Sequence, residues 1–363
     1  MKSYDIAVIP GDGVGHEVTG EAVKIMTAAA DKHGFSIKTA AFDWGCDYYL
    51  KHGKMMPDDM LETLRDFDAI FLGCIGDAAK VPDHISLTLL LTIRKGFDQY
   101  VNLRPIKLYP GVESPVRTAS PDTVDMVVIR ENTEGEYSQA GGFFKTGTAD
   151  GFAIQSGIFT QKGCERVMRY AFELAQKRKQ TGVSPEAKVT NCTKSNALNY
   201  SMVFWDTVYA QVARDYPEIK TDMAMVDALT MWMVKNPEYF DVVVASNLFG
   251  DIITDLGAML QGGMGFAAGG NLNPEKKFPS MFEPIHGSAP KYTGKGVVNP
   301  VAAIESVRMI LEHMGEEAAG HDIEAGVIQT LKAGRVKTRD MGGRASTGDM
   351  GDAIKSALMN NAG

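Results

Sequence analysis

The chain lacks a dense basic run, a Cys-x-x-Cys pair, a histidine at metal-ligand spacing and any apolar stretch near the ~20 residues that cross a bilayer. Each absence excludes something. Lys177, Arg178 and Lys179 form the tightest basic cluster, which reads as the solvated last turn of a helix. With a net charge of −8, the chain offers no surface for nucleic-acid phosphates. Cys46, Cys74, Cys164 and Cys192 are scattered, which favours free thiols in a reducing compartment over a disulfide framework. The N-terminal segment has no signal-peptide core, so a cytoplasmic protein without membrane or nucleic-acid partners is expected.

What is present is an alternation of strand-like and helix-like segments. Buried strands are expected at 6–9, 69–72, 123–129, 187–190, 223–227 and 242–245, with an extended piece at 101–104. Helices are expected at 17–33, 58–67, 87–97, 163–177, 200–215, 300–314, 321–333 and 347–359, and a hairpin or arm at about 143–157. The pattern gives an α/β protein with a largely parallel sheet. At 363 residues, two domains or one large unit can form, with no flexible tether between them.

The sharpest local feature follows the apolar run 241–246. Asn247-Leu-Phe-Gly-Asp-Ile-Ile-Thr-Asp255 reads as a helix after Gly250, so Asp251 and Asp255 stand four apart on one face, just past a strand end. Like charges at that spacing repel, and a divalent cation held by oxygen ligands would offset them; a solvated acidic face is the plainer reading.

Pro10-Gly-Asp-Gly-Val-Gly15 follows a strand and opens a helix, inviting a dinucleotide-fingerprint reading. His16 stands where the third glycine belongs, and no isolated acid follows about 20 residues on for a ribose. A tight turn needing positive φ accounts for the glycines equally well, so the fold is expected not to be a Rossmann fold.

Three arginines lie at or beside element ends: Arg94, Arg104 before Pro105, and Arg130 before Glu131. Planar guanidinium forks bind carboxylates bidentately, so three together would suit a di- or tricarboxylate, although each alone could simply pair with a local acid. Further ordered motifs accompany them: Asn102-Leu-Arg-Pro105, Arg130-Glu-Asn-Thr-Glu-Gly-Glu-Tyr137, Thr193-Lys-Ser-Asn196, Ser246-Asn-Leu-Phe-Gly-Asp251, Glu283-Pro-Ile-His-Gly-Ser-Ala-Pro290 and Asn299-Pro300. With these, the whole chain resembles the isocitrate/isopropylmalate dehydrogenase family, the β-decarboxylating dehydrogenases of (R)-2-hydroxy acids. Tyr48-Tyr-Leu-Lys-His-Gly-Lys-Met-Met-Pro57, Val81-Pro-Asp-His-Ile-Ser-Leu87 and 97–105 are most similar to its tartrate dehydrogenase/decarboxylase and D-malate dehydrogenase branch.

The resemblance implies a two-domain isopropylmalate-dehydrogenase-like fold. Residues 1–100 and 257–363 would make a larger nucleotide-side domain, and 101–256 a smaller one carrying the dimer interface and the arm. It implies that Arg94, Arg104 and Arg130 hold substrate carboxylates. Asp251 and Asp255 would bind Mg²⁺ or Mn²⁺ together with Asp227 of the second subunit of a homodimer with shared sites. Lys194, also from the second subunit, and Tyr137 would move protons. The cofactor would lie along Glu283, His286, Gly287, Ser288, Ala289, Lys291, Tyr292 and Asn299. A monovalent cation such as K⁺ is compatible with the family.

By branch the cofactor is expected to be NAD. Lys291 and Tyr292 stand where NAD-using members usually carry Asp, and a cation there would attract a 2′-phosphate, which keeps NADP open. The helix before Arg94 offers Leu87, Thr88, Leu90 and Leu91; Thr88 could meet an extra carboxylate, while the branch points to D-malate or tartrate. 3-Isopropylmalate and isocitrate are the alternatives. A non-catalytic regulatory subunit and a metal-dependent hydrolase are the competing classes; the retained site residues oppose the first and the nucleotide segment the second.

Overall fold

The computed structural model describes residues 2–360, which fall into two compact units. Unit 1 holds the described residues up to Gln99, Lys107–Arg117 and those from Ala258 onward; unit 2 holds Tyr100–Ile106 and Thr118–Gly257. The chain begins with β1 (Ser3–Gly11), α1 (Gly15–His33), β2 (Ser36–Ala41), α2 (Cys46–His52), α3 (Met60–Leu64), β3 (Ala69–Cys74), α4 (Asp83–Ser86) and α5 (Thr88–Gly96). Then come β4 (Val101–Lys107), β5 (Asp125–Glu131), β6 (Gly135–Phe144), β7 (Phe152–Ile158), α6 (Gln161–Gln180), β8 (Lys188–Thr193), α7 (Ser201–Ala213), β9 (Lys220–Met225), α8 (Val226–Lys235), β10 (Val242–Ala245) and α9 (Asn247–Leu260). The remainder is β11 (Ala268–Leu272), β12 (Ser280–Pro284), α10 (Val301–His313), α11 (Glu317–Ala333) and α12 (Thr347–Asn360).

The strands of unit 1 run in the order β2-β1-β3-β12-β11, parallel except that β11 is antiparallel to β12. Those of unit 2 run β4-β5-β10-β8-β9, and the pairs β5–β10, β10–β8 and β8–β9 are parallel. Parallel strands need crossover connections, and the intervening helices cover the sheet faces. That double burial explains why β3 and β10 are buried at every position and read as continuous apolar runs. In unit 1, α10 is buried along most of its length against α1 and α11. No helix of the described residues is long and apolar enough to cross a membrane. The four cysteines are free and buried.

Several elements differ from their sequence expectation. The hairpin opens at Gly135, ahead of 143, because Gly135 takes φ +68° and turns the chain into β6. β11 lies in what reads as a glycine-rich loop; the Phe282 ring from β12 fills the space over Gly270, so this strand needs no side chain there. α11 starts at Glu317 instead of 321, and Asp227 lies in the first turn of α8 instead of ending a strand. Arg178 is not solvated: α6 continues to Gln180, and the guanidinium donates to Asp241 Oδ1 at 2.7 Å and Asp125 Oδ1 at 2.9 Å.

Candidate active site

In unit 2, the middle of β4, the end of β5, the start of β6 and the first turns of α9 bring four candidate residues together. Arg130 is almost fully buried at the end of β5. It donates to Asn247 Oδ1 through Nε at 3.1 Å and Nη2 at 2.8 Å, and pairs through Nη1 with Asp251 Oδ1. Arg104 donates to Asn102 Oδ1 at 2.6 Å and Thr254 Oγ1 at 2.5 Å, and its Nη2 lies 3.7 Å from Asp251 Oδ1. The Tyr137 hydroxyl donates to Asp251 Oδ2 at 2.8 Å, with the Arg130 guanidinium 5.3 Å from the Tyr137 ring centre. α9 can approach Arg130 because residue 250 is glycine: a Cβ there would sit 2.5 Å from Arg130 Cγ.

Asp255 lies one turn beyond Asp251 on α9, at the surface but with its carboxyl partly desolvated. That desolvation, then the charge of Asp251, raises its pKa above the ordinary carboxylate range, while Arg104 and Arg130 pull it down. Lys194 and Asp227 form a separate pair, with Nζ 2.8 Å from Oδ1. The hydrogen bond from Lys194 is the main cause that lowers the Asp227 pKa. Among the described residues no three His, Cys, Asp or Glu side chains of one chain form a metal-binding group. Two carboxylates one turn apart, one of them destabilised by the other's charge, nonetheless fit a hard cation that draws further oxygen ligands from elsewhere.

In unit 1, Arg94 occupies the last turn of α5 and donates from Nη2 to Glu283 Oε1 at 2.8 Å; Asn271 donates to the same oxygen at 2.8 Å. Arg94 Nε is buried without a hydrogen-bond partner. Thr88 lies six residues before Arg94, on a different face of the helix. Its hydroxyl donates to Ile85 O at 2.6 Å, and its side chain lines another cavity, beside Met55 and Met56.

The largest share of the expected cofactor segment surrounds a cavity of about 580 Å³ in unit 1. His286, Gly287, Ala289, Tyr292 and Asn299 line it, joined by Val14, Gly265, Val297, Val298, Arg339 and Asp340. Glu283, Ser288 and Lys291 are not among its lining residues. Glu283 is tied to Arg94, the Ser288 hydroxyl turns inward to Gly76 O, and Lys291 lies over the Tyr292 ring at 4.9 Å. Burial lowers the His286 pKa, favouring the neutral imidazole.

The glycine turn closes one side of this cavity without forming a dinucleotide fingerprint. Gly11 and Gly13 have φ +71° and +57°, and a Cβ at either would strike the Cys74 or Ser288 carbonyl oxygen. Val14 N donates to Ser288 O at 2.8 Å. Arg339 and Asp340 escaped the sequence reading because they sit in a single irregular turn with no motif around them. The only signal was charge density: Lys332, Arg335, Lys337, Arg339 and Arg344 fall within one short stretch.

A parallel α/β sheet with an arginine–carboxylate–tyrosine cluster at its strand ends defines a class. The sequence profile described as isocitrate/isopropylmalate dehydrogenase matches residues 5–354, and the chain belongs to that family of dehydrogenases. It is 49% identical over 360 residues to a probable tartrate dehydrogenase/decarboxylase of Bacillus subtilis (strain 168), covering 99% of each chain. It is 48% identical over 366 residues to the D-malate dehydrogenase [decarboxylating] of Escherichia coli (strain K12), again covering 99% of each. Among solved structures, the isocitrate dehydrogenase from Methylococcus capsulatus matches with a TM-score of 0.86 at 33% identity, covering 98% of this chain and 99% of that one. Enzymes of the family generally use a nicotinamide dinucleotide and a divalent metal and act on small molecules.

Proposed function

We propose that the protein catalyses the metal-dependent, NAD(P)-linked oxidative decarboxylation of a small (R)-2-hydroxy dicarboxylic acid, D-malate or tartrate. The meeting of Arg104, Arg130 and Tyr137 on Asp251, with Asp255 one turn on, is the observation that carries this reading. Cations for carboxylates, acids for a metal and a phenol for a proton stand within one cluster. When bound, a divalent cation on Asp251 and Asp255 would polarise the substrate hydroxyl and the carbonyl formed from it, and the nicotinamide would accept hydride from C2.

In this reading Arg104 and Arg130 bind the substrate carboxylates, and Arg94 is the third candidate for that role. Glu283 holds Arg94 in place. Lys194 takes the C2 hydroxyl proton as hydride leaves C2. The bond from C3 to its carboxylate then breaks, releasing CO₂, and the Tyr137 hydroxyl protonates C3. The 580 Å³ cavity along His286–Asn299 would receive the nucleotide, with apolar walls suited to an adenine.

Lys194 and Asp227 are proposed to complete the site of a second copy. The apolar surface of unit 2 supports this: Tyr200, Met231, Trp232 and Ile252 are 92%, 71%, 46% and 56% exposed, which is unusual for an isolated subunit. Homodimerisation would cover these residues and bring the third carboxylate to the cation. The test is nicotinamide reduction across D-malate, tartrate, 3-isopropylmalate and isocitrate, with NAD and NADP and with Mg²⁺ and Mn²⁺. Reduction with a four-carbon acid supports the proposal, and no substrate-dependent reduction in any combination removes it.

A further inference from the structure

The glycine turn after β1 carries a carboxylate that the proposed chemistry does not use. Asp12 is buried, and both of its oxygens accept backbone N–H groups: Oδ1 that of Cys46 at 2.7 Å, Oδ2 that of Gly76 at 2.8 Å. Its own N–H donates to Cys74 O at 2.7 Å. One residue thus joins the turn to the first position of α2 and to the segment that leaves β3. The Gly76 carbonyl oxygen accepts the Ser288 hydroxyl, and the Ser288 carbonyl oxygen accepts the Val14 N–H at 2.8 Å. Ser288 stands between Gly287 and Ala289, which line the 580 Å³ cavity together with Val14. The bonds close a circuit from the turn to Gly76, on to Ser288 and back to the turn.

The neighbouring sequence leaves room for this carboxylate. Residue 45 is glycine with φ +149°, and a Cβ there would stand 2.7 Å from Asp12 Oδ1. Gly76 takes φ +105°, a conformation that favours glycine. Amide N–H bonds to an ionised carboxylate are charge-assisted, and Asp12 makes two of them from a short side chain on a packed turn. We propose that Asp12 is a positioning residue for nucleotide binding: through Gly76 it sets where Ser288 and the cavity wall beside it stand. The α1 helix adds a second hold on the same wall, because Glu17 accepts the backbone N–H groups of Gly294 and Gly296 at 2.5 and 2.9 Å. This inference rests on reading the cavity as the dinucleotide site. It gives the aspartate of Pro10-Gly-Asp-Gly-Val-Gly15 a task that a tight turn alone does not require.

The test reads NAD and NADP affinity by calorimetry on the intact protein, with steady-state kinetics on D-malate and tartrate beside it. Asp12→Ala should weaken binding of the preferred nucleotide roughly tenfold and raise its KM alike, with kcat at saturating nucleotide within about twofold. Asp12→Asn keeps one acceptor oxygen and should recover part of the loss. Ser288→Ala should also weaken binding, and the double variant should lose less than the two single losses combined, because both residues act through Gly76. Unchanged nucleotide affinity in Asp12→Ala overturns the positioning role, as do additive losses or a fall in kcat as large as the rise in KM. Should Asp12→Ala not fold, Asp12→Asn decides by the same readings. Val298→Trp, which fills the cavity, separates the two readings. If it abolishes binding while Asp12→Ala leaves affinity unchanged, the positioning role falls and the cavity stands. If it leaves affinity unchanged, or if neither nucleotide binds the unsubstituted protein, both readings fall together.

Discussion

The two units carry charge in opposite ways. In unit 2, Arg104 and Arg130 both face Asp251, and Lys194 faces Asp227, so the candidate chemistry sits in charge-compensated pairs. At the unit 1 cavity, Lys291, Lys295 and Arg339 lie around the Tyr292 ring without an ion pair to an acid among the described residues. Compensated pairs are formed as the chain folds and hold side chains in fixed orientations. An uncompensated cluster costs stability until a counter-charge arrives. On the proposed function, chemistry and nucleotide recognition draw on different groups, and substitutions in the two places should have different signatures.

The largest expected effect is on the chemical step. Lys194→Met should lower kcat by roughly 10²-fold or more, the scale of lost general acid–base catalysis, while nucleotide binding measured by calorimetry stays unchanged. Retained turnover would remove Lys194 from proton transfer and leave its pair with Asp227 as structure only. Next is the close approach of α9 to β5. Gly250→Ala places a methyl against Arg130 and should destabilise the protein by about 1–3 kcal/mol, with KM rising more than kcat falls. An unchanged urea midpoint would mean that Arg130 yields easily, contrary to its packing.

The third prediction concerns pH. Asp255 has a raised pKa, so the folded chain holds its proton where the unfolded chain has released it. Its contribution to stability is full below the unfolded carboxylate pKa and is lost as pH rises through the raised folded value. Asp255→Asn should therefore raise the urea midpoint of the metal-free protein slightly at neutral pH and leave it unchanged at low pH. Mn²⁺ affinity of the unsubstituted protein should weaken as pH falls through the same range. A lower midpoint at neutral pH would show that the arginines outweigh Asp251 at this carboxyl. The smallest effect is expected at the loop support: Glu17→Gln should weaken nucleotide binding roughly two- to tenfold through its two amide bonds, with kcat unchanged.

The parallel α/β organisation was legible because strands buried on both faces write themselves as β-branched runs, as at 242–245. The acidic pair was legible because helix spacing alone puts Asp251 and Asp255 on one face. β11 was not, because glycine in a strand looks like a loop until the neighbouring Phe282 supplies the missing volume. Thr88 stands six positions from Arg94, and its side chain lines the cavity beside Met55 and Met56. Arg339 was invisible because its meaning lies in a ring brought to it only by tertiary structure.

The double engagement of Asp251 has one more consequence. Its two oxygens hold the Arg130 guanidinium and the Tyr137 hydroxyl before any substrate arrives. These two side chains have already given up their rotational freedom during folding, so little of the binding energy of a small acid is diverted to freezing them. For a substrate of only a few heavy atoms that economy matters, since the free energy it can gain from contacts is limited. On the proposed function, Asp251 would act as a stand-in for the ligand: the carboxylate that would hold the cation also keeps Arg130 and Tyr137 in position.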